Sequence, residues 1–427
     1  MGDTSLTRRG FLAVSAAGLG AAALSACGSS DDKGSDGKTI EWWNIITTQP
    51  GKRIWAARCK EFEKANPGVT VKIVTLENDS YKAKMTALTA SGKLPDIYHT
   101  WGGGVLKQQI DAGLVEDITE KIAPWSGGFM PATMTAYQFD SKTYANPFDI
   151  GCVGFWYNKA HFAKAGITTP PTTWTAYLDA VKKLKAAGIT PIALGGKEKW
   201  PGMYYWAYLA MRVAGLDAMQ KASTDKDFTG EGFVKAGEHL KELVDLQPFQ
   251  TGFLGATYSQ PGGEAAAMSN GKAAMELMGQ WAPITQQDQG KGIGKDLGFF
   301  SFPAVEGGAG KLTEVFGGGG GMALRKGAPQ TAVDFLKFMS DVDFGKKLVT
   351  EAAAVPVLKD AQSALTDPNL KMVTTAIAGA TGFQLYLDQA YAPAVGQEIN
   401  DSVAALIAGS KSPEAVTKSI TQVAKSQ

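Results

Sequence analysis

Between residues 39 and 113 the apolar positions change period repeatedly, and the changes predict strands and helices in turn. Thr39 to Ile45 reads as a strand, Arg53 to Ala65 carries apolar residues at helical spacing, and Val69, Val71 and Ile73 alternate as a second strand. Ser80 to Ser91 predicts a helix stopped by Gly92, Leu94 to Trp101 a third strand, and Val105 to Ala112 a helix ended by Gly113. Repeated strand–helix–strand units imply a parallel sheet with helices on its faces. Ligands of such open sheets lie beyond the carboxyl ends of the strands. Here those ends carry Trp42-Trp43-Asn44, then Glu77-Asn78-Asp79, then His99-Thr100-Trp101 and three glycines. Aromatic faces and hydrogen-bonding side chains thus recur where a ligand is expected.

The pattern is interrupted at Tyr144 to Asp149, where Pro147 restricts Asn146 and breaks helix, as suits a crossing between domains. A second region comes next: a strand from Val153 to Tyr157, a helix from Trp174 to Ala187 capped by Thr173 and stopped by Gly188, a strand from Pro191 to Leu194, an aromatic-rich helix from Gly202 to Gly215, and a strand from Ala273 to Met278. The run Gly317 to Gly321 marks a return crossing; it permits a hinge or a close backbone approach, and is equally readable as a plain loop. Ala332 to Met339 predicts a helix, and the remainder to Gln427 is expected to be mainly helical.

The N-terminus adds a location. Arg8-Arg9 precedes a short apolar stretch ending in Leu24-Ser25-Ala26-Cys27, too brief to span a bilayer. It resembles a twin-arginine signal joined to a lipobox, which implies export, cleavage of residues 1–26 and lipidation of Cys27. Residues 27–38 read as the lipidated Cys and a flexible tether. Of 42 basic and 41 acidic residues, Arg8, Arg9 and Asp3 leave with the signal, so the mature chain carries 40 of each. That balance supports no nucleic-acid partner and no polybasic membrane patch.

Cys59 and Cys152 remain, with a pair of buried free thiols expected and a disulfide as the alternative. Three histidines without paired Cys/His spacing argue against a zinc site, and no cofactor is expected. Gly310-Lys311 lacks the Ser or Thr of a phosphate-binding loop, and no dinucleotide, nucleophile-elbow or metalloprotease motif is present. A glycosidase needs only paired carboxylates, for which Asp149, Glu264, Glu276 or Asp388 are available. The positive signal is aromatic: of ten Trp residues, Trp42, Trp43, Trp101, Trp200 and Trp281 stand at strand ends or beside Gly and Pro. Flat rings can stack on sugar faces while polar groups bind the hydroxyls. One of Trp42 and Trp43 is expected to face the ligand and the other the core.

Several segments together resemble the extracellular solute-binding proteins of bacterial ABC importers, family 1, an architecture similar to maltose-binding protein. These are Ser91 to Ile97, Tyr157-Asn158-Lys159, Pro170 to Trp174, Asn270 to Met275 with Gly279-Gln280-Trp281, and Ala332 to Leu336. The resemblance implies an α/β, two-domain, periplasmic-binding-protein-like (type II) fold with a hinge and an interdomain ligand cleft. It implies an N-terminal domain of residues 39–147 plus 316–345, and a C-terminal domain of residues 148–315 plus 346–427. One wall would carry Trp42, Trp43, Asn44, Asn78, Asp79 and Trp101; the other Trp200, Tyr204 and Trp281; Asp149 would lie at the floor, with Phe316, Gly317 and Gly318 at the crossing. The expected activity is capture, not catalysis: a monomeric, membrane-anchored receptor that hands a short neutral oligosaccharide, xylobiose or a relative, to a permease. The alternative is an extracellular carbohydrate-active enzyme.

Overall fold

The computed structural model describes residues 38–427, so the twin-arginine segment, Cys27 and the tether as far as Gly37 lie outside the described residues. A five-stranded sheet runs in the order Thr70–Thr75, Thr39–Asn44, Ile97–Thr100, Gly321–Leu324 and Ala145–Pro147. The first three strands are parallel, joined by the helices Gly51–Ala65 and Asn78–Ser91; Gly321–Leu324 runs antiparallel to them and pairs antiparallel with Ala145–Pro147. Gly92 ends the second helix in the left-handed conformation its sequence position suggested. Asp96 ties three strands together: its carboxylate accepts from the backbone of Glu41 at 3.0 Å and from Arg325 Nε at 2.9 Å.

A second, three-stranded antiparallel sheet takes the order Leu297–Phe300, Gly154–Asn158, Met275–Met278. Asn158 ends its strand by capping the helix Lys159–Lys164, accepting from the backbone of Ala160 and His161. The expected strand Pro191 to Leu194 forms only isolated bridges through Ile192, because Pro191 has no N–H to give a ladder. Beside the sheet, the helix Trp200–Ala214 is buried on every side from Trp200 to Arg212, as an all-round apolar helix must be. After Met339 the chain is mainly helical as expected, but Gly382–Leu385 is a strand.

That strand belongs to the crossing. Gly382–Leu385, Glu314–Gly318 and Gly151–Cys152 form a third sheet, also of three strands. The glycine run is therefore no loose loop. A Cβ on Gly317 would stand 2.3 Å from the Gly151 carbonyl oxygen, and one on Gly319 2.0 Å from that of Asp149. Glycine is required because the outgoing and returning backbones lie against each other.

Two implied domain boundaries meet different packing. Glu314–Gly318 pairs outside the five-stranded sheet, which the chain re-enters only at Gly321. The helix Val342–Ala352, largely expected with the C-terminal domain, packs on Gly51–Ala65, with Phe344 edge-on to Trp55 at 5.0 Å. Leu358 bridges to Phe129. An amphipathic stripe shows that a helix is covered but not which lobe covers it.

Cys59 and Cys152 are free, buried thiols, both pushed up to about 12 by burial. Among the described residues no helix is long and apolar enough to cross a membrane, and no group of three or more His, Cys, Asp or Glu could hold a metal ion.

Candidate ligand cleft

The large sheets leave a cavity of about 260 Å³ between them, floored by Asp149 and Gly318 to Gly320 of the crossing. On one side stand Ile45 to Thr48, Asn78 and Trp101; on the other Trp200, Tyr204, Tyr258, Trp281 and Tyr386. Trp200 opens its helix after Lys199, which adopts a positive φ of 67°. Tyr204 stands four residues later and so shares its face. Their rings lie 5.4 Å apart, Trp200 is also 5.4 Å from Tyr258, and Tyr204 stacks on Tyr386 at 5.6 Å. Trp281 meets Tyr386 edge-on at 6.2 Å. Its indole folds back over Gly279, where a Cβ would lie 2.2 Å from the ring, so the Gly279-Gln280-Trp281 motif needs its glycine.

Several polar atoms at this cavity have no protein partner. Both ring nitrogens of His99, Nε1 of Trp200 and the hydroxyl of Tyr386 are buried and unbonded to protein. A buried polar group left without a partner costs about 1–3 kcal/mol, so each of these atoms has hydrogen-bonding capacity to spare. Burial holds His99 down to about 3, with the Lys82 charge acting in the same direction. The imidazole is therefore neutral at ordinary pH, and one nitrogen donates while the other accepts.

Carboxyl groups complete the site. Asp149 accepts from Gln280 Nε2 at 2.7 Å and from the Ile150 backbone at 2.9 Å, yet burial outweighs both bonds and pushes its pKa up to about 7. Glu198 is likewise pushed up to about 7 by burial, against a 2.7 Å bond from the Tyr258 backbone. Asp388 holds Lys82 Nζ at 2.6 Å.

Of the residues expected at the site, Asn78, Trp101, Asp149, Trp200, Tyr204, Trp281 and Gly318 line this cavity, and Asp79 lines an adjoining one. Trp42, Trp43, Asn44, Phe316 and Gly317 do not. Trp42 is fully buried, 5.4 Å from Trp55 and 5.7 Å from Phe335. Trp43 packs on the opposite sheet face with the cluster of Tyr81, Met85 and Tyr98. Helices cover both faces, so neither neighbour lines this cavity, against the expectation that one would face it. Asn44 spends its Oδ1 on the Ile46 backbone at 3.0 Å and on Thr75 at 3.1 Å. Phe316 lies behind the wall, 5.2 Å from Tyr204 and 5.6 Å from Tyr386. Gly317 is buried against Gly151 and Cys152.

Reading from sequence missed Ile45 to Thr48, Lys82, Glu198, Tyr258 and Tyr386 as site residues. Tyr386 and Asp388 come after the unforeseen strand Gly382–Leu385, and a strand end there would have been the signal. Glu264 and Glu276 are buried away from the cavity. The Gly195 backbone donates to Glu264 at 2.6 Å and Gln286 to Glu276 at 2.6 Å, and burial raises both acids. They are not placed to attack a sugar.

The sequence profile of bacterial extracellular solute-binding proteins matches residues 47–343. An uncharacterised ABC transporter extracellular-binding protein of Pyrococcus horikoshii is 25% identical over 344 residues, 77% of this chain and 73% of that one. A probable sugar-binding periplasmic protein of Mesorhizobium japonicum is 27% identical over 287 residues, 65% of this chain and 66% of its own length. A solved structure from work on xylan utilisation by Caldanaerobius polysaccharolyticus superposes with a TM-score of 0.84 at 28% identity, covering 90% of this chain and 99% of that one. A chitin oligosaccharide binding protein superposes with a TM-score of 0.83 at 26% identity, covering 91% and 98%. These neighbours share the type II periplasmic solute-binding fold.

Proposed function

We propose that this chain, which belongs to the bacterial extracellular solute-binding protein family, is the carbohydrate receptor of an ABC importer and captures a short neutral oligosaccharide. The observation that carries the reading is the pairing, in one cavity between two sheets, of aromatic faces with buried polar atoms that have no protein partner. Rings at Trp200, Tyr204 and Trp281 suit the apolar faces of pyranoses, and His99, Trp200 Nε1 and Tyr386 suit their hydroxyls. The similarity to proteins named for xylan utilisation and chitin oligosaccharide binding supports a β-linked chain, with xylo-oligosaccharides such as xylobiose first. Binding without hydrolysis is favoured by the family match, and Glu264 and Glu276 lie outside the cavity.

In this reading the lobes meet at residues 147–151, at 318–321, and in the chain after the Leu358 bridge to Phe129. A ligand touching both walls shifts the population toward closure only through its extra contacts in the closed form. Export and lipidation at Cys27 would hold the receptor, as a monomer, at the outer face of the membrane beside its permease. Calorimetry with xylo-, cello-, malto- and chito-oligosaccharides, with product analysis of the same mixtures, tests the function. Stoichiometric binding of one series with no cleavage is expected; release of shorter sugars would establish the enzyme instead, and no binding by any series would refute the carbohydrate reading.

A further inference from the structure

Two acids of the C-terminal lobe lie buried against each other outside the cavity. Glu264 is 1% exposed and Glu276 0%. Glu264 opens the helix Glu264–Ser269, and Glu276 stands in the strand Met275–Met278 against which that helix packs. Their carboxyl groups hydrogen-bond to each other. A carboxylate has only acceptors, so this contact needs a proton on at least one partner. The principal charge facing the pair from outside is another acid, Glu198, and the titratable hydroxyls around it are those of Tyr204, Tyr205 and Tyr258. None of these brings a positive charge that would favour ionisation.

The pair is tied to three segments that carry rings of the cavity. Glu264 accepts from the Gly195 backbone at 2.6 Å, shortly before Trp200. Its own backbone N–H donates to the Thr257 carbonyl at 2.9 Å, and that of Ala265 to the Tyr258 carbonyl at 3.1 Å. Glu276 accepts from Gln286 Nε2 at 2.6 Å, on the helix Ala282–Gln289 that starts directly after Trp281. Trp200, Tyr258 and Trp281 all line the cavity, whereas Glu264 and Glu276 do not. Packing among these segments is tight: a Cβ on Gly195 would stand 2.9 Å from the Tyr258 nitrogen and 3.0 Å from Glu264 Oε2.

We infer that Glu264 and Glu276 form a proton-sharing positioning pair that holds the aromatic wall in place, so that the grip on the ligand loosens when the pair loses its shared proton; the ligand part of this rests on the carbohydrate reading above. Without the proton, two like charges face each other away from water, and relief requires the carboxylates to part or to admit water. Either movement is passed through Gly195, Thr257 and Gln286 to the three rings. The pair touches no ligand and acts only through the residues it positions.

The test follows the wild type, Glu264→Gln and Glu276→Gln between about pH 7.5 and 9, the range in which the buried pair gives up its proton. Calorimetry with the sugar series that binds should show the wild-type affinity falling about threefold or more across this range, and each Gln variant falling by less than about half as much. Tryptophan fluorescence of the ligand-free protein should shift over the same range in the wild type and stay level in the variants. The infrared carbonyl band of protonated carboxyl groups, read on the wild type in heavy water, needs no variant to fold: it should be present at pH 7.5 and lost by pH 9. Absence of that band at pH 7.5, wild-type affinity and fluorescence that do not change, or variants that decline as steeply as the wild type would each overturn the pair. Failure of every sugar series to bind would remove the carbohydrate reading alone, since the ligand-free fluorescence still decides whether the pair holds the wall.

Discussion

On its N-terminal side the cleft presents Ile45 to Thr48, Asn78 and a single indole, Trp101, whereas on its C-terminal side it presents Trp200, Tyr204, Trp281 and Tyr386. The difference comes from how each lobe is built. A parallel sheet covered by helices on both faces uses the aromatic residues of its strands as core, and only residues beyond the strand ends are free to meet a ligand. Thus Trp42 is consumed in packing and Trp43 packs, partly buried, on the opposite face. In the other lobe the aromatic residues stand at a helix start, just past a strand end and after Leu385, packed against one another with one edge of the group lining the cavity. The polar wall is suited to recognising hydroxyls and the aromatic wall to holding rings.

Substitutions at the two tryptophan groups break or sharpen this contrast most strongly. Trp42→Ala should cost about 3–5 kcal/mol of stability, as large aromatic truncations in cores do, with sugar affinity of the folded fraction unchanged. Thermal melts and calorimetry on the same sample check it; a stable variant with lost binding would return Trp42 to the cleft. Trp281→Ala should do the reverse, weakening binding by about 1–3 kcal/mol with little change in melting temperature, whereas Trp200→Ala, at a buried position, should lower both. Unchanged affinity in both would dissolve the aromatic wall.

The crossing between the walls gives a smaller effect. Gly319→Ala places a methyl 2.0 Å from the Asp149 carbonyl oxygen, and overpacking of this kind costs about 1–3 kcal/mol. Because the shift falls on Asp149, affinity should drop as well, and denaturation with parallel binding assays would show both. A variant as stable and as tight as the wild type would mean that the two backbones part readily.

The smallest effect is on pH dependence. Burial raises Glu276 from 4.5 to about 8, with its neighbour Glu264 also raised. The folded protein then binds more protons than the unfolded chain between these values, so the contribution of this group to stability is greatest below pH 4.5 and declines as pH rises through about 8. Glu276→Gln keeps an acceptor for Gln286 and should flatten the decline in melting temperature between about pH 5 and 8. An equally steep decline in the variant would place the effect elsewhere.

Local physics made much of the fold legible before any coordinates. Gly92 as a helix stop, Thr173 as a cap, and the period changes from Thr39 to Gly113 are settled by neighbours in the chain, and each appears where its residues direct. Gly and Pro beside Trp200 and Trp281 marked places where regular packing stops, and the resemblance pointed to Asp149; all three line the cavity. What depends on layers was not. Whether Trp43 meets a ligand or a helix depends on what covers the second face of its sheet, and that cover, Tyr81 and Met85, comes from the separate helix Asn78–Ser91. The same holds for Val342–Ala352, whose apolar stripe fits either lobe, and for Tyr386, which reaches the cleft only because Gly382–Leu385 pairs with Glu314–Gly318. Sequence determined the elements and the caps that end them, because those energies are local. Tertiary structure alone decided which aromatic faces remained uncovered, because burial is a property of surfaces brought together from distant parts of the chain.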